Sequence, residues 1–256
     1  MDHITLFGKE IPLYGILFYA GMLLAALAAL WVARRRGLPM AEVVYSAVYT
    51  FIGALLGAKF LFIAVNLRTI IEAGIPFVAV IKGGFVFYGG FLGGLAGLFL
   101  YTRQFKLPIG SYLDIFAVVL PLGHAVGRIG CFFAGCCYGI PWEGGHVYTD
   151  VVGDTPLGIP LLPIQLIESG LLMLLFLTQL FLLYRYPRSS GLHTHFYLLS
   201  YPVVRFLLEF FRGDAGRGVL LLSTSQWISL AIIAFELVAL MRPAHRAVSK
   251  ERRDTV

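Results

Sequence analysis

Residues 124 to 139 read HAVGRIGCFFAGCCYG. The stretch carries a histidine, an arginine, three cysteines and four glycines, yet strongly apolar segments lie on both sides of it. His124 and Arg128 stand four apart, so on a helix they share one face, one turn from each other. A charge inside a bilayer costs roughly 2.5–3.5 kcal/mol on insertion scales unless it is paired or reached by water. Arg128 is therefore a functional candidate, or an arginine that snorkels to the interface or pairs with an acid to hold helices together. Gly127, Gly130, Gly135 and Gly139 open backbone space beside it, which favours the functional reading.

Outward from that stretch the composition is that of a membrane protein. Of the 256 residues 59% are apolar and 13% charged, with a mean hydropathy of +0.83; soluble domains carry about a quarter charged residues. The pattern predicts an all-α polytopic membrane protein, one integral-membrane domain over residues 1–256, with about seven transmembrane helices and a small outward-facing head. The spans are drawn at 12–33, 41–64, 84–101, 112–130, 163–184, 196–211 and 224–241, each compatible with the ~20 residues that cross the hydrocarbon. The first run has no basic region before it and no clear small-residue cleavage signal after it, so it reads as a retained span. The net charge of +6 sits at span ends, which fits membrane topology and not nucleic-acid binding.

The loops set an orientation. Arg34, Arg35, Arg36, Arg103, Lys106, Arg185, Arg188, Arg242, Arg246, Lys250, Arg252 and Arg253 fall on one side, more than half of the 20 lysines and arginines. Lys9, Arg68, Lys82, Arg212 and Arg217 fall on the other. The positive-inside rule makes the basic tail, 242–256, cytoplasmic and places the N-terminus outside. Residues 65–83 mix apolar and charged side chains and are expected to lie along the interface as an arm. Residues 138–162 are rich in glycine and proline and read as an irregular or β-containing head.

Ionisable groups inside spans are few: Lys59, Glu168, Arg205 and Glu209 stand out. Gln165 and Glu168 share one helical face, as do Arg205 and Glu209. Arg205 and Glu209 either neutralise each other within one helix, or Arg128 and Arg205 converge on an anion, presenting forked donors suited to phosphate. The segment GGFVFYGGFLGG, 83–94, holds six glycines; these serve close helix packing or approach to a ligand. Tyr88 is its one hydroxyl-bearing residue. Cys131, Cys136 and Cys137 form no C-x-x-C and have no ligand partners spaced for zinc, so no metal site is expected. They remain small packing residues or a disulfide with one thiol left over.

Together these residues resemble the bacterial prolipoprotein diacylglyceryl transferases. GRIGCFFAGCCYG at 127–139 is similar to the family's stretch around an essential arginine. GALLGAK at 53–59, GGFVFYGGFLGG at 83–94, PIQLIES at 163–169 and RFLLEFFR at 205–212 resemble further family elements in the same order. There are departures. Tyr88 stands where many members have histidine, Cys131 where many have asparagine, and Cys136 where many have an acidic residue, which marks a divergent, cysteine-bearing branch.

The resemblance implies a transferase of the bacterial cytoplasmic (inner) membrane. Its expected substrates are phosphatidylglycerol and prolipoprotein signal peptides with a lipobox cysteine. The diacylglyceryl group would pass to that cysteine's thiol, giving a thioether and glycerol phosphate, with no cofactor. From the residues themselves, Arg128 and Arg205 are the expected phosphate clamp, Tyr88 a hydrogen-bond donor, and His124 as base or the arginine-lined field the means of activating the thiol. Gly89, Gly90, Gly127, Gly139, Gln165, Glu168 and Glu209 are the expected substrate-binding residues, with both glutamates positioning the arginines. Two other classes stay open: a membrane thiol oxidoreductase using Cys131, Cys136 and Cys137, and a lipid-binding or transport paralogue without transferase chemistry.

Overall fold

A computed structural model describes residues 3–6, 9–149, 155–187, 190–214, 218–219 and 221–241. The basic tail at 242–256, Arg188, Arg217 and the middle of the head at 150–154 lie outside the described residues. In chain order the described helices are α1 (Leu13–Arg36), α2 (Met40–Glu72), α3 (Phe77–Lys82), α4 (Phe87–Gln104), α5 (Ile109–Phe133), α6 (Ile164–Arg185), α7 (Leu192–Leu208) and α8 (Thr224–Met241). One 3₁₀ turn, Glu209–Phe211, follows α7. Three small antiparallel pairs complete the list: β1 (His3–Leu6) with β2 (Lys9–Pro12), β3 (Pro141–Val147) with β4 (Pro160–Leu161), and β5 (Gly218–Val219) with β6 (Leu222–Ser223).

Among the described residues, α1, α2, α5, α6 and α8 are long and apolar enough to cross a membrane. That is five helices, where the hydropathy reading drew seven spans; α4 and the 17-residue α7 fall outside the set. Glycine interrupts the apolar run of α4, and histidine and arginine interrupt that of α7. Large apolar side chains are widely exposed, while several polar and charged ones are fully buried beside an apolar core. Asp114, Gln165, Glu168, Gln179, His193 and Glu236 are each at most 1% exposed, while Leu56, Phe60, Phe181 and Phe235 are more than 60% exposed. Apolar surface outside and polar groups inside is the arrangement a bilayer stabilises.

Helix boundaries follow local chemistry. α1 ends where Gly37 takes φ +69: Gly37 N donates to Arg34 O at 3.2 Å and Leu38 N to Ala33 O at 2.9 Å. This closes the last carbonyls in a left-handed cap that favours glycine. Pro39 then precedes α2. α2 has 33 residues, so it is ~50 Å long and outruns the ~30 Å hydrocarbon. Residues 65–72, expected in an interfacial arm, are instead a continuation of this helix; only Phe77–Lys82 forms a separate short helix there.

The chain divides into two compact units. The first comprises Met1–Ala26, Ala117–Tyr186 and Leu192–Val256; the second comprises Leu27–Phe116 and Pro187–Gly191. In the second unit α2 and α4 meet along a ladder of glycines. A β-carbon at Gly57 would lie 2.2 Å from Gly89 O, one at Gly93 2.2 Å from Gly53 O, and one at Gly97 2.2 Å from Tyr49 O. The four-residue spacing of 53 and 57, and of 89, 93 and 97, is the small-xxx-small pattern that lets backbones touch.

Polar ties complete this unit. Lys59 Nζ donates to the carbonyls of Gly83 at 2.8 Å, Gly84 at 3.0 Å and Val80 at 3.3 Å, and lies 4.1 Å from the Phe85 ring centroid. This satisfies the C-terminal carbonyls of α3 with a cation, so Lys59 has a structural explanation. Tyr101 donates to Glu42 at 2.6 Å, and the buried Arg36–Asp114 pair meets at 3.1 Å.

Candidate active site

In the first unit α5, α6 and α7 each contribute to one buried polar cluster. α5 continues through Pro121, which has no N–H and so leaves the carbonyl four residues earlier, Ala117, without its helical donor. Gln179 on α6 supplies one: its Nε2 lies 3.3 Å from Ala117 O and 2.9 Å from His193 O. Its Oε1 faces His193 Nδ1 at 2.8 Å. Further along, Ser169 donates to Ala125 O at 2.8 Å, fixing α6 against α5 between His124 and Arg128. On the other side of α5, a β-carbon at Gly21 of α1 would lie 2.8 Å from Gly123 O. The turn carrying His124 and Arg128 is thus held by a hydrogen bond and by close packing.

Glu168 is the hub. Its Oε2 lies 3.0 Å from Arg128 Nε and 3.8 Å from Arg205 Nη1. Its Oε1 accepts from Tyr201 OH at 3.3 Å and lies 3.9 Å from His124 Nε2. Arg205 Nη2 reaches Glu209 Oε2 at 2.6 Å and Ser225 Oγ, near the start of α8, at 3.3 Å. The carboxylates are the deeper groups: the Glu168 and Glu209 side chains are 2% and 4% exposed, against 13% and 12% for Arg128 and Arg205. The closest contact of Arg128 with Glu168 is made through Nε and not through its Nη groups. Both guanidiniums are thus anchored on buried carboxylates: Arg128 by its Nε edge, Arg205 through both Nη groups. A guanidinium held by its Nε edge is one whose Nη fork suits a phosphate.

The structure brings together Arg128, His124, Arg205, Glu168 and Glu209. Gln165, one turn before Glu168, donates to Cys136 O at 2.8 Å and lies 3.4 Å from Tyr148 OH; it ties the loop after α5 to α6. Burial raises the Tyr148 hydroxyl above its ordinary pKa, keeping it a neutral donor to Phe132 O at 3.2 Å. A β-carbon at Gly127 would meet nothing within 4 Å, whereas one at Gly139 would lie 2.5 Å from Leu162 O. Gly127 borders open space and Gly139 is a packing position. Tyr88, Gly89 and Gly90 belong to the second unit. Tyr88 is half-buried in the first turn of α4, Gly89 lies in the glycine ladder, and Gly90 makes ordinary contact with α2.

One contributor, Tyr201, escapes motif reading. Tyr201 touches Glu168 and sets its ring against His124, with centroids 5.4 Å apart. The four-residue series Tyr197, Tyr201, Arg205 on α7 is the signal that points to it. Glu236, a buried carboxylate of α8, makes a separate pair with His195.

Comparison with known proteins follows the same lines. The family model for "Prolipoprotein diacylglyceryl transferase" matches residues 3–242. The chain is 35% identical over 232 residues to a phosphatidylglycerol–prolipoprotein diacylglyceryl transferase of Clostridium tetani, covering 89% of this chain and 91% of that protein. It is 32% identical over 231 residues to the Clostridium perfringens protein named phosphatidylglycerol–prolipoprotein diacylglyceryl transferase 2, with 89% of each covered. A Synechococcus elongatus transferase of the same name is 30% identical over 247 residues, covering 89% of this chain and 82% of its own length.

Proposed function

The chain belongs to the prolipoprotein diacylglyceryl transferase family, and we propose that it moves the diacylglyceryl group of phosphatidylglycerol to the lipobox cysteine thiol of a prolipoprotein. The thiolate sulfur attacks the glycerol carbon that bears the phosphate, the carbon–oxygen bond breaks, and its electron pair leaves on the phosphate oxygen. A thioether and glycerol phosphate result. The observation that carries this reading is the pair of guanidiniums, Arg128 and Arg205, held on one buried carboxylate, Glu168, among apolar helices.

In this reading Arg128 and Arg205 stabilise charge on the departing phosphate, where each preorganised donor is worth ~3–4 kcal/mol. Glu168 and Glu209 hold the guanidiniums in place, and Tyr201 supports Glu168. A free thiol titrates near ~8.5, so a base or a cationic field must raise its thiolate fraction. His124, one turn from Arg128, is the base, and Tyr88 is a hydrogen-bond donor to substrate. The whole chain acts as a single integral-membrane transferase domain in the bacterial cytoplasmic membrane. α4 and α7 join the five longer helices to make seven spans, with the N-terminus and the head outside and the tail cytoplasmic.

The test is turnover of labelled phosphatidylglycerol with a lipobox peptide by the purified protein, beside rescue of a transferase-depleted bacterium. Label appearing on the peptide cysteine supports the reading. Binding of the lipid without transfer, in a protein that also fails to rescue, overturns it.

A further inference from the structure

The proposed reaction uses none of the three cysteines. Cys131 lies in the last turn of α5, and the chain then folds back on itself. Cys136 N donates to Cys131 O at 3.1 Å and Gly135 N to Phe132 O at 3.2 Å. Gly135 and Cys137 both take φ of 60. That is ordinary for glycine and costly for a residue with a β-carbon, yet a cysteine occupies the second position. The reversal returns Cys136 and Cys137 to the side of Cys131. The three Sγ atoms all lie within 4.8 Å of one another, all three residues are half-buried, and none is in a disulfide.

Metal–thiolate bonds of ~2.3 Å put three sulfurs about 3.8–4.0 Å apart around one ion, from tetrahedral to trigonal. Small side-chain rotations bring the observed cluster to that spacing. The donor set is all sulfur, which selects soft cations over magnesium or calcium. Three thiolates leave excess negative charge around a mono- or divalent ion, and a cation is in place to offset it. Arg212, bound to Asp214 at 2.8 and 2.9 Å, also interacts with Cys137. Such an outer group tunes a metal site.

We propose that Cys131, Cys136 and Cys137 form a three-thiolate site for a soft cation of the zinc(II) or copper(I) class. This revises the expectation of no metal site, which rested on linear spacing. Bound there, the ion fastens the loop 134–139 to the last turn of α5 at Cys131, three residues beyond Arg128. The proposal stands apart from the transferase reading, because it concerns residues that the reaction does not use.

The experiment uses the full chain in detergent micelles, reduced and metal-free, titrated with cadmium(II) as a spectroscopic probe and then with zinc(II). The expected result is one cadmium per chain with a thiolate-to-metal charge-transfer band. Cys131→Ser, Cys136→Ser and Cys137→Ser should each remove about a third of the band and weaken binding by at least about tenfold. Because a serine variant can misfold, protection is also read in the unsubstituted protein: the metal should shield all three thiols from alkylation. Uptake no greater than in the triple serine variant overturns the proposal, as does a single variant that keeps the full band. Shielding of fewer than three thiols overturns it too.

Discussion

Arg128 and Glu168, forty residues apart in sequence, meet at 3.0 Å through the guanidinium Nε, with the carboxylate the more deeply buried partner. The contact holds the guanidinium by one edge. Arg128→Lys keeps the charge but loses the fork, and should lower kcat/KM for labelled phosphatidylglycerol by at least about a hundredfold, in line with ~3 kcal/mol for a lost charge-stabilising donor. Near-normal turnover in a folded Arg128→Lys protein would remove the clamp from the mechanism.

Glu168 balances two arginines and accepts from Tyr201, so its loss should be felt in stability as well as rate. Glu168→Gln leaves the buried Arg128 without its counter-charge while Arg205 keeps Glu209, and breaking such a buried pair costs about 3–5 kcal/mol. A lowered unfolding temperature in detergent is expected together with lost activity. Tyr201→Phe should cost only about 1 kcal/mol, one hydrogen bond. Equal damage from the two substitutions would contradict the hub arrangement.

A base must be neutral to accept the thiol proton, so falling pH should quench the reaction through protonation of His124. In the pH–rate profile with a peptide acceptor, the acidic limb should vanish in His124→Gln and persist in Tyr88→Phe. An unchanged profile and rate in His124→Gln would shift thiol activation to the arginine field or to Tyr88.

Glycines in this chain divide by what a methyl group would meet. Gly57→Ala drives a β-carbon to 2.2 Å from Gly89 O and should force α2 and α4 apart, costing about 1–3 kcal/mol as overpacking does. Gly127→Ala meets nothing within 4 Å and should leave thermal stability unchanged. A drop in kcat/KM for Gly127→Ala at full stability would place substrate beside that residue; the same loss of stability in both variants would contradict the packing contrast.

Topology has its own check. A reporter fused after residue 256 should be cytoplasmic, and one inserted near Gly145, in the β3–β4 hairpin, should be outside. A cytoplasmic signal at Gly145 reverses the orientation argued from the basic loops.

Much of this protein is determined by local sequence. Apolar run length predicts where the long helices lie, because hydropathy and the 1.5 Å rise per residue act along the chain. The intramembrane charges Arg128, Glu168, Arg205 and Glu209 stand out because each is costly where it sits. Four-residue spacing is equally local, and it marks His124 with Arg128, Arg205 with Glu209, and the glycines of α2 and α4. Tertiary structure alone decided which of these groups meet. Glu168 sharing both arginines, Gln179 serving the carbonyl freed by Pro121, and Lys59 closing α3 all join residues remote in sequence, and no periodicity encodes such pairings. It also decided that α2 runs unbroken to Glu72 and that three cysteines of unremarkable spacing come within 4.8 Å. A left-handed turn at Gly135 and Cys137, invisible to hydropathy, sets the direction of the chain there.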